Sequence, residues 1–306
     1  MSIERPTRVP APLPARLAVL ENEAIYILCD GVASAERPVI LFSGGKDSTV
    51  LAHLARKALF PARPPLPLLH IDSNWEFRDV VAFRGHFAAS YGFDLVVFAN
   101  EEGRAEALNP IDHAGVYTTM MRTEALKMAL DHGRYDVIFG GARRDEEASR
   151  GKERIVSVRE RDHVWDSRNQ RPELWSLYNW RLAPGQTVRA FPLSNGTERD
   201  LWEYVAAEAI PLTPLYFAEE REVIEYKQTL IVLDDPARWG WPVTLTRRET
   251  VRFRTLGCSP VTGAIMSEAT TPAEILAEVD TATTSERTGR VFDRGTPEAH
   301  KRDGYF

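Results

Sequence analysis

A pair of glycines between an apolar strand and a helix constrains this chain more than any other feature of its sequence. Residues 39–42 (Val-Ile-Leu-Phe) have the character of a short buried strand, residues 43–48 (Ser-Gly-Gly-Lys-Asp-Ser) follow directly, and an amphipathic helix begins near Thr49. Adjacent glycines permit positive φ and let successive backbone N–H groups approach an anion, and a helix N-terminus adds positive potential. The segment therefore predicts an α/β protein with a pyrophosphate-binding turn.

The same loop does not fit a Walker A motif, which requires Ser or Thr after Gly-Lys and another glycine five residues before the second. In this chain Asp47 follows Gly45 and Lys46, and position 40 is an isoleucine. A Ser-Gly-Gly-x-Asp-Ser loop is typical of enzymes that hold the β- and γ-phosphates of ATP while a nucleophile attacks the α-phosphorus. AMP transfer is therefore the predicted chemistry, and an ordinary glycine-rich turn is the alternative.

Strand-like and helix-like segments alternate over most of the chain. Predicted strands cover residues 39–42, 67–71, 94–98, 136–139 and 188–191, and predicted helices begin at Ala15 and cover residues 48–59, 77–91 and 119–132. This alternation predicts an α/β fold with a mainly parallel, doubly wound sheet and helices on both faces. A further helix is expected after Thr197, whose side chain can form a capping box with Asp200.

The pattern divides the chain into an N-terminal arm (residues 1–14), a nucleotide-binding α/β domain (residues 15–215) and an irregular C-terminal extension (residues 216–306). The extension lacks a clean period and is expected to cover the active-site crevice and to contact a partner. Ligands of doubly wound sheets bind beyond the carboxyl ends of the strands. The glycine loop, Asp72 and the turn at Gly140 and Gly141 each follow a predicted strand, so they are expected to form one site.

Composition narrows the classes of function. The formal net charge is −6, which argues against a general nucleic-acid-binding protein, and no apolar run is long enough to cross a bilayer. Prolines at positions 6, 10, 12 and 14 occupy the place where a signal peptide needs its apolar core, so a cytoplasmic protein is expected. Cys29 and Cys258 have no metal-ligand spacing, and both are expected to be buried packing residues.

A run of charged residues follows the fourth predicted strand. It reads Gly140-Gly141-Ala142-Arg143-Arg144-Asp145 and lies at the ligand-binding edge of the sheet. A guanidinium group pairs two oxyanion oxygens at once and keeps its charge, so Arg143 and Arg144 are candidates for anion binding, with Asp145 orienting them or holding a metal. Further basic residues that suggest anion binding are Arg150, Lys152 and Arg154. A solvated, alternately charged helix start is the alternative.

On these motifs the chain resembles the small, catalytic subunits of the heterodimeric bacterial sulfate adenylyltransferases, in the phosphoadenylyl-sulfate reductase and adenine nucleotide α-hydrolase-like superfamily. Matching blocks occur in the family's order at residues 53–58, 68–72, 139–147, 169–175, 251–258, 283–287 and 303–306. The resemblance implies transfer of AMP from ATP to sulfate, giving adenylyl sulfate and pyrophosphate in the first step of sulfate activation. It also implies a separate GTPase large subunit as partner, because the reaction is strongly uphill and the chain has no Walker A loop.

The resemblance also implies roles for the residues of the loop and the arginine run. Lys46, Arg143 and Arg144 would be the catalytic cations, because sulfate is ionised at neutral pH and needs no general base. The nucleotide would be bound by Ser43, Gly44, Gly45, Lys46, Asp47, Ser48, Asp72, Gly140 and Gly141. Mg²⁺ would accompany ATP, with Asp47 and Asp145 as its expected protein ligands.

Other activities share this type of loop. A phosphoadenylyl-sulfate reductase would need a catalytic cysteine in a Glu-Cys-Gly-x-His signature near its C-terminus, whereas Cys258 stands in a Gly-Cys-Ser-Pro sequence. An amidating or tRNA-modifying ATP pyrophosphatase would normally add a glutaminase or RNA-binding module, and the acidic charge balance gives little support for RNA. A nucleotide-binding subunit without catalysis is the remaining alternative.

Overall fold

A six-stranded sheet forms the centre of the N-terminal domain in a computed structural model of the protein, which describes residues 12–146, 148–226, 228–235, 238 and 246–282. Its strands are β1 (Pro38–Leu41), β2 (Leu68–Ile71), β3 (Leu95–Phe98), β4 (Val137–Phe139), β5 (Val156–Arg159) and β6 (Thr187–Ala190), in the order β3-β2-β1-β4-β6-β5. All pairings are parallel except that of β5 with β6. The predicted mainly parallel sheet is confirmed.

The five predicted strands each end within one residue of an observed strand, whereas β5 was not predicted. The Val-Ser-Val-Arg sequence of β5 ends in a charged side chain, although all four of its positions are buried. Arg159 is accommodated in the interior because its guanidinium group donates hydrogen bonds to Glu153 and to Ser157. The spacing of apolar residues in the sequence does not reveal an internal ion pair of this kind, so it did not predict β5.

Helices pack on both faces of the sheet, as predicted. One face carries α1 (Ala15–Ser34), α2 (Lys46–Ala58) and α3 (Arg78–Tyr91), whose apolar side chains share the main core with β1 and β2. After the short helix α4 (Glu101–Ala105), the other face carries a helical run of α5 (Ala114–Thr118), a π-helical segment (Thr119–Glu124) and α6 (Ala125–Gly133). The structure therefore places a π-helical turn within the helix that was predicted over residues 119–132.

The C-terminal extension contains more regular structure than its sequence indicates. It follows α7 (Glu198–Glu208) and forms a four-stranded antiparallel sheet of β7 (Glu219–Tyr226), β8 (Thr229–Val232), β9 (Arg247–Arg252) and β10 (Ile265–Met266), in the order β10-β9-β7-β8. Charged side chains of β9 and β7 form ion pairs with each other, such as Arg247 with Glu225. These charged residues interrupt the apolar alternation by which a strand is predicted. Helix α8 (Pro272–Thr281) packs against α7, which begins with the predicted capping box of Thr197 and Asp200.

Some expectations fall on residues that the structure does not describe. These are most of the N-terminal arm and the matching blocks at residues 283–287 and 303–306. Within the described ranges, none of the helices combines the length and the apolar character that a membrane span requires. Cys258 is buried as expected, but the expectation for Cys29 was wrong, because this residue is exposed on α1, away from the apolar face of the helix.

Candidate active site

The glycine loop closes the gap between β1 and α2. Gly44 has a φ of +75°, the left-handed conformation that favours glycine, so the loop takes the predicted positive φ at this position. Gly141, after β4, fits against the loop: a Cβ atom added there would lie 2.8 Å from the carbonyl carbon of Asp47 and 3.0 Å from the nitrogen of Ser48. The turns that follow β1 and β4 are therefore packed backbone to backbone, as their positions at the same sheet edge predicted.

A cleft of about 240 Å³ opens beside this loop, at the carboxyl ends of β1 and β2. The loop contributes Ser43, Gly45, Asp47 and Ser48 to the wall of the cleft. Apolar side chains of the wall are Leu41, Leu69, Ile71 and Leu126. Residues 255–257 of the C-terminal extension also line the cleft, so the extension reaches the crevice.

The backbone N–H groups of the loop divide into two sets. Gly45 N–H donates to Ser43 Oγ at 3.2 Å, and Lys46 N–H donates to the hydroxyl of Tyr216 at 2.7 Å. Within the described residues, the N–H groups of Gly44, Asp47 and Ser48 donate no hydrogen bond to another backbone or side-chain group. Because Asp47 and Ser48 stand in the first turn of α2, their N–H groups have no intrahelical acceptor and are available to an anion.

A buried chain of ion pairs holds the carboxylate of Asp47. Lys46 Nζ lies 3.2 Å from Asp47 Oδ2, and Arg143 Nε donates to Asp47 Oδ1 at 2.7 Å. Lys46 and Arg143 are each only 1% exposed. Burial alone would raise the pKa of Asp47, but the positive charges of Lys46 and Arg143 outweigh it and lower that pKa to about 2. Both cations therefore stand behind the loop and keep its carboxylate ionised.

Asp145 faces α7 rather than the cleft. Its Oδ1 accepts a hydrogen bond from Arg143 Nη1 at 2.6 Å, and its Oδ2 accepts the N–H of Glu198, the first residue of α7, at 2.7 Å. Burial raises the pKa of the Asp145 carboxyl group. The side chain of Glu198 in turn accepts from Arg254 Nη2 at 2.8 Å. A continuous polar network thus connects the glycine loop with the segment that follows β9.

Three other predicted site residues lie at the same edge of the sheet without lining the cleft. Asp72 accepts hydrogen bonds from Arg84 at 3.2 Å, so its carboxylate is paired within the protein. Arg144 donates to the side chain of Asn195. Gly140 continues the sheet, because its N–H donates to the carbonyl of Ala190 at 2.8 Å. Their assigned contacts with nucleotide or sulfate stay predictions.

Two arginines line the cleft instead of the predicted pair. They are Arg122, from the π-helical segment, and Arg150, from the basic cluster after β4. The cluster around Arg150 was noted as a possible anion site. Nothing in the sequence distinguishes Arg122, because a basic residue in a helix is most often a solvated one.

Asp47 fits the role of a Mg²⁺ ligand better than Asp145 does. Asp47 lines the cleft and Asp145 does not, although both oxygens of each carboxylate are paired with protein donors. The described part of the chain contains no group of three or more His, Cys, Asp or Glu residues that could hold a metal. A Mg²⁺ ion bound through Asp47 would therefore take its other ligands from phosphates and water, as Mg²⁺ commonly does.

Comparisons with known proteins identify the family of the chain. The family model of the phosphoadenosine phosphosulfate reductase domain matches residues 37–264. The sulfate adenylyltransferase subunit 2 of Rhizobium meliloti (strain 1021) is 55% identical over 99% of this chain and 97% of its own length, and that of Citrifermentans bemidjiense is 51% identical over 95% and 98%. Among solved structures, phosphoadenylyl-sulfate reductase from Candida auris is 14% identical, with a TM-score of 0.47 over 68% of this chain and 93% of that chain. The chain contains a phosphoadenosine phosphosulfate reductase domain and belongs to the sulfate adenylyltransferase subunit 2 family, whose name describes a nucleotidyltransferase.

Proposed function

We propose that this chain transfers AMP from ATP to sulfate, forming adenylyl sulfate and pyrophosphate, and that GTP hydrolysis on a partner subunit drives the reaction. The observation that carries the proposal is that one cleft combines the glycine loop, an apolar wall and two arginines. The full-length relatives bear the name of this activity.

The cleft offers different surfaces to the two ends of ATP. Its apolar side chains suit the adenine ring, because ligand pockets are mostly apolar with a few placed polar groups. The N–H groups of Gly44, Asp47 and Ser48 suit the β- and γ-phosphates. The hydroxyl of Ser43, whose oxygen is 3.1 Å from that of Ser48, can add a donor to the same oxygens, whereas Ser48 Oγ donates to the carbonyl of Gly45 at 2.9 Å. The α-phosphorus would then lie between these surfaces.

The reaction brings together two anions, ATP and sulfate, and positive charges at the site reduce the repulsion between them. A sulfate oxygen would attack the α-phosphorus in line, a new oxygen–phosphorus bond would form, and the bond to the departing pyrophosphate would break. Mg²⁺, when bound, would neutralise charge on the pyrophosphate. Lys46 and Arg143 hold the Asp47 carboxylate ionised and oriented toward that role, and their own charges favour the approach of an anionic substrate.

A partner is expected for energetic reasons. The product is a mixed phosphoric–sulfuric anhydride, so its formation is strongly uphill and must be coupled to another reaction. The relatives are named as subunit 2, which supports a heteromeric enzyme. We propose a GTPase as the large subunit, and ATP, Mg²⁺ and sulfate as the ligands of this chain, in the cytoplasm.

The test measures sulfate-dependent pyrophosphate release by the purified chain, with and without the large subunit and GTP. We expect weak turnover by the chain alone and a large increase when both are added. Full turnover without GTP would contradict the coupling. Pyrophosphate exchange stimulated by tRNA or by a carboxylic acid, but not by sulfate, would identify an amidating or tRNA-modifying enzyme. Thioredoxin-dependent sulfite release would instead identify a reductase.

A further inference from the structure

Arg122 reaches the cleft from a π-helical turn. The segment Thr119–Glu124 is π-helical, and such turns are rare and often occur at functional sites. Arg122 Nη2 lies 3.3 Å from the Sγ atom of Cys258, which is buried. A side chain added at Gly257 would lie 3.5 Å from the same nitrogen, so the C-terminal extension packs closely around the guanidinium group. The Arg122 guanidinium is therefore held at the cleft by contacts with Cys258 and Gly257 of the C-terminal extension.

Arg150 reaches the cleft from the segment between β4 and β5, in front of other buried cations. Its Nη1 atom lies 3.5 Å from Glu153 Oε2, and Oε1 of the same glutamate is 2.5 Å from Arg159 Nη2. Arg159 and Arg189 are fully buried, and burial together with the charge of Arg159 lowers the pKa of Arg189 to about 9. Positive charge is thus concentrated behind the part of the wall that Arg150 presents to the cleft.

We propose that Arg122 and Arg150 bind the sulfate and hold it beside the α-phosphate. This inference rests on the proposed function and assigns the substrate-binding residues within it. Two guanidinium groups match the charge and the oxygen spacing of a tetrahedral dianion. Arg143 differs from both in its position, because it does not line the cleft.

Carboxylates of the cleft limit where an anion can bind. Two carboxylates, Glu76 and Glu146, also line the cleft and repel an oxyanion. Glu76 accepts a hydrogen bond from Ser73 Oγ at 2.6 Å, which fixes its position. The triphosphate is expected at the loop, where the open N–H groups lie, and we assign the second anion to the two arginines of the cleft wall.

The test uses the complex of the chain with its large subunit and compares Arg122→Gln, Arg122→Lys and Arg150→Lys with the wild type. The matched control is Arg63→Gln, which removes an exposed guanidinium paired with Asp94 outside the cleft. Two quantities are measured: the KM values for sulfate and for ATP, and the Kd of sulfate for the complex loaded with α,β-methylene ATP, which cannot react. The second measurement does not depend on catalysis.

We expect Arg122→Gln to raise the KM and the Kd of sulfate by at least about tenfold, because a charge-assisted contact is lost, while the KM of ATP changes less than about twofold. Arg122→Lys should recover part of the loss, and Arg150→Lys should show an intermediate loss. Arg63→Gln should match the wild type. If the buried Arg150 variant does not fold, the half-buried Arg122 still provides the test.

Other results would overturn the assignment. The KM and the Kd of sulfate could be unchanged in the Arg122 variants, or the KM of ATP could rise as much as that of sulfate. The KM of sulfate could also rise in Arg144→Ala and not in the Arg122 variants. Failure of the wild type to bind sulfate or to release pyrophosphate with it would instead overturn the proposed function, and the assignment with it. The wild-type measurement therefore separates the two failures.

Discussion

The hydroxyl oxygen of Tyr216 accepts the amide hydrogen of Lys46 at 2.7 Å, and this bond joins the segment after α7 to the first turn of α2. Tyr216 is only 1% exposed, and its ring packs edge-on against Trp202. The aromatic ring is therefore fixed by packing, and its hydroxyl supports the start of the helix on which the glycine loop depends.

Tyr216→Phe should destabilise the protein because it leaves the buried N–H of Lys46 without this acceptor. The expected loss in the free energy of unfolding is about 1–3 kcal/mol, measured by urea denaturation. Tyr26→Phe is the matched control, since Tyr26 is 47% exposed and its variant should differ from the wild type by less than about 0.5 kcal/mol. Equal stability of the two variants would show that the bond to Lys46 contributes nothing.

Gly141→Ala should damage nucleotide binding because the new methyl group would meet the backbone of Asp47 and Ser48, which cannot move without opening the loop. We expect the Kd of ATP to rise at least about tenfold, together with a stability loss of about 1–3 kcal/mol. Gly85→Ala is the control, because Gly85 is exposed in α3 and a methyl group there meets nothing within 4 Å. That variant should gain about 0.5–1 kcal/mol. Normal ATP affinity in Gly141→Ala would contradict the close packing of the two turns.

Arg143→Gln should change how stability depends on pH. The pKa of Asp47 is lowered from 3.8 to about 2, so the ionised carboxylate stabilises the fold above about pH 4, and this contribution is lost as the pH falls from about 4 toward 2. The variant lacks the pairing at neutral pH, so it should be less stable than the wild type there, and the difference should narrow below pH 4. Protonation of Asp145, the other partner of Arg143, changes the difference in the same direction.

Urea denaturation at pH 7, 5 and 3 measures this effect. Arg144→Gln serves as the neighbouring control, because the described side-chain partner of Arg144 is the neutral Asn195. Its stability difference from the wild type should stay nearly constant over the same range. A difference for Arg143→Gln that is independent of pH would show that its ion pairs do not control the titration of Asp47.

Removal of Mg²⁺ should weaken the stabilisation that ATP gives to the protein. A ligand at one hundred times its Kd raises the free energy of unfolding by about 2.7 kcal/mol. We expect ATP with Mg²⁺ to raise the Tm, ATP with EDTA to raise it less, and Asp47→Asn to lose the difference between the two. A Tm that responds equally to both conditions in the wild type would contradict the role of Asp47 as a metal ligand.

The sequence predicts β1, β2, β3 and β4 well because each is a short, mainly apolar run that follows a helix. It does not predict β5 or β9, whose charged side chains are compensated by partners far along the chain: Arg159 by Glu153, and Arg247 by Glu225. The spacing of apolar residues indicates which side chains a strand buries. It does not indicate which carboxylate, distant in the sequence, pairs with a buried or cross-strand arginine. Those strands are therefore visible only in three dimensions.

The candidate site also has a part that the sequence predicts and a part that it does not. The glycine loop is predictable because its chemistry is contained in consecutive residues, and the structure shows the expected turn. Arg143 and Arg144 are neighbours in sequence, yet their side chains reach different partners: Arg143 contacts Asp47 behind the loop, and Arg144 contacts Asn195. Spacing alone does not decide which of two adjacent side chains faces a ligand once the chain has left a regular strand.

The position of Arg122 depends on the number of residues in the π-helical segment as well as on their identity. Each residue of an α-helix turns by about 100°, so deleting one residue from the segment Thr119–Glu124 would rewind it to an ordinary helix and swing Arg122 by about that angle. Such a deletion would leave every cleft side chain unmutated and still remove a guanidinium group from the wall. Substitutions near this turn are compatible with the position of Arg122. Insertions and deletions within the turn are expected to be rare among active relatives.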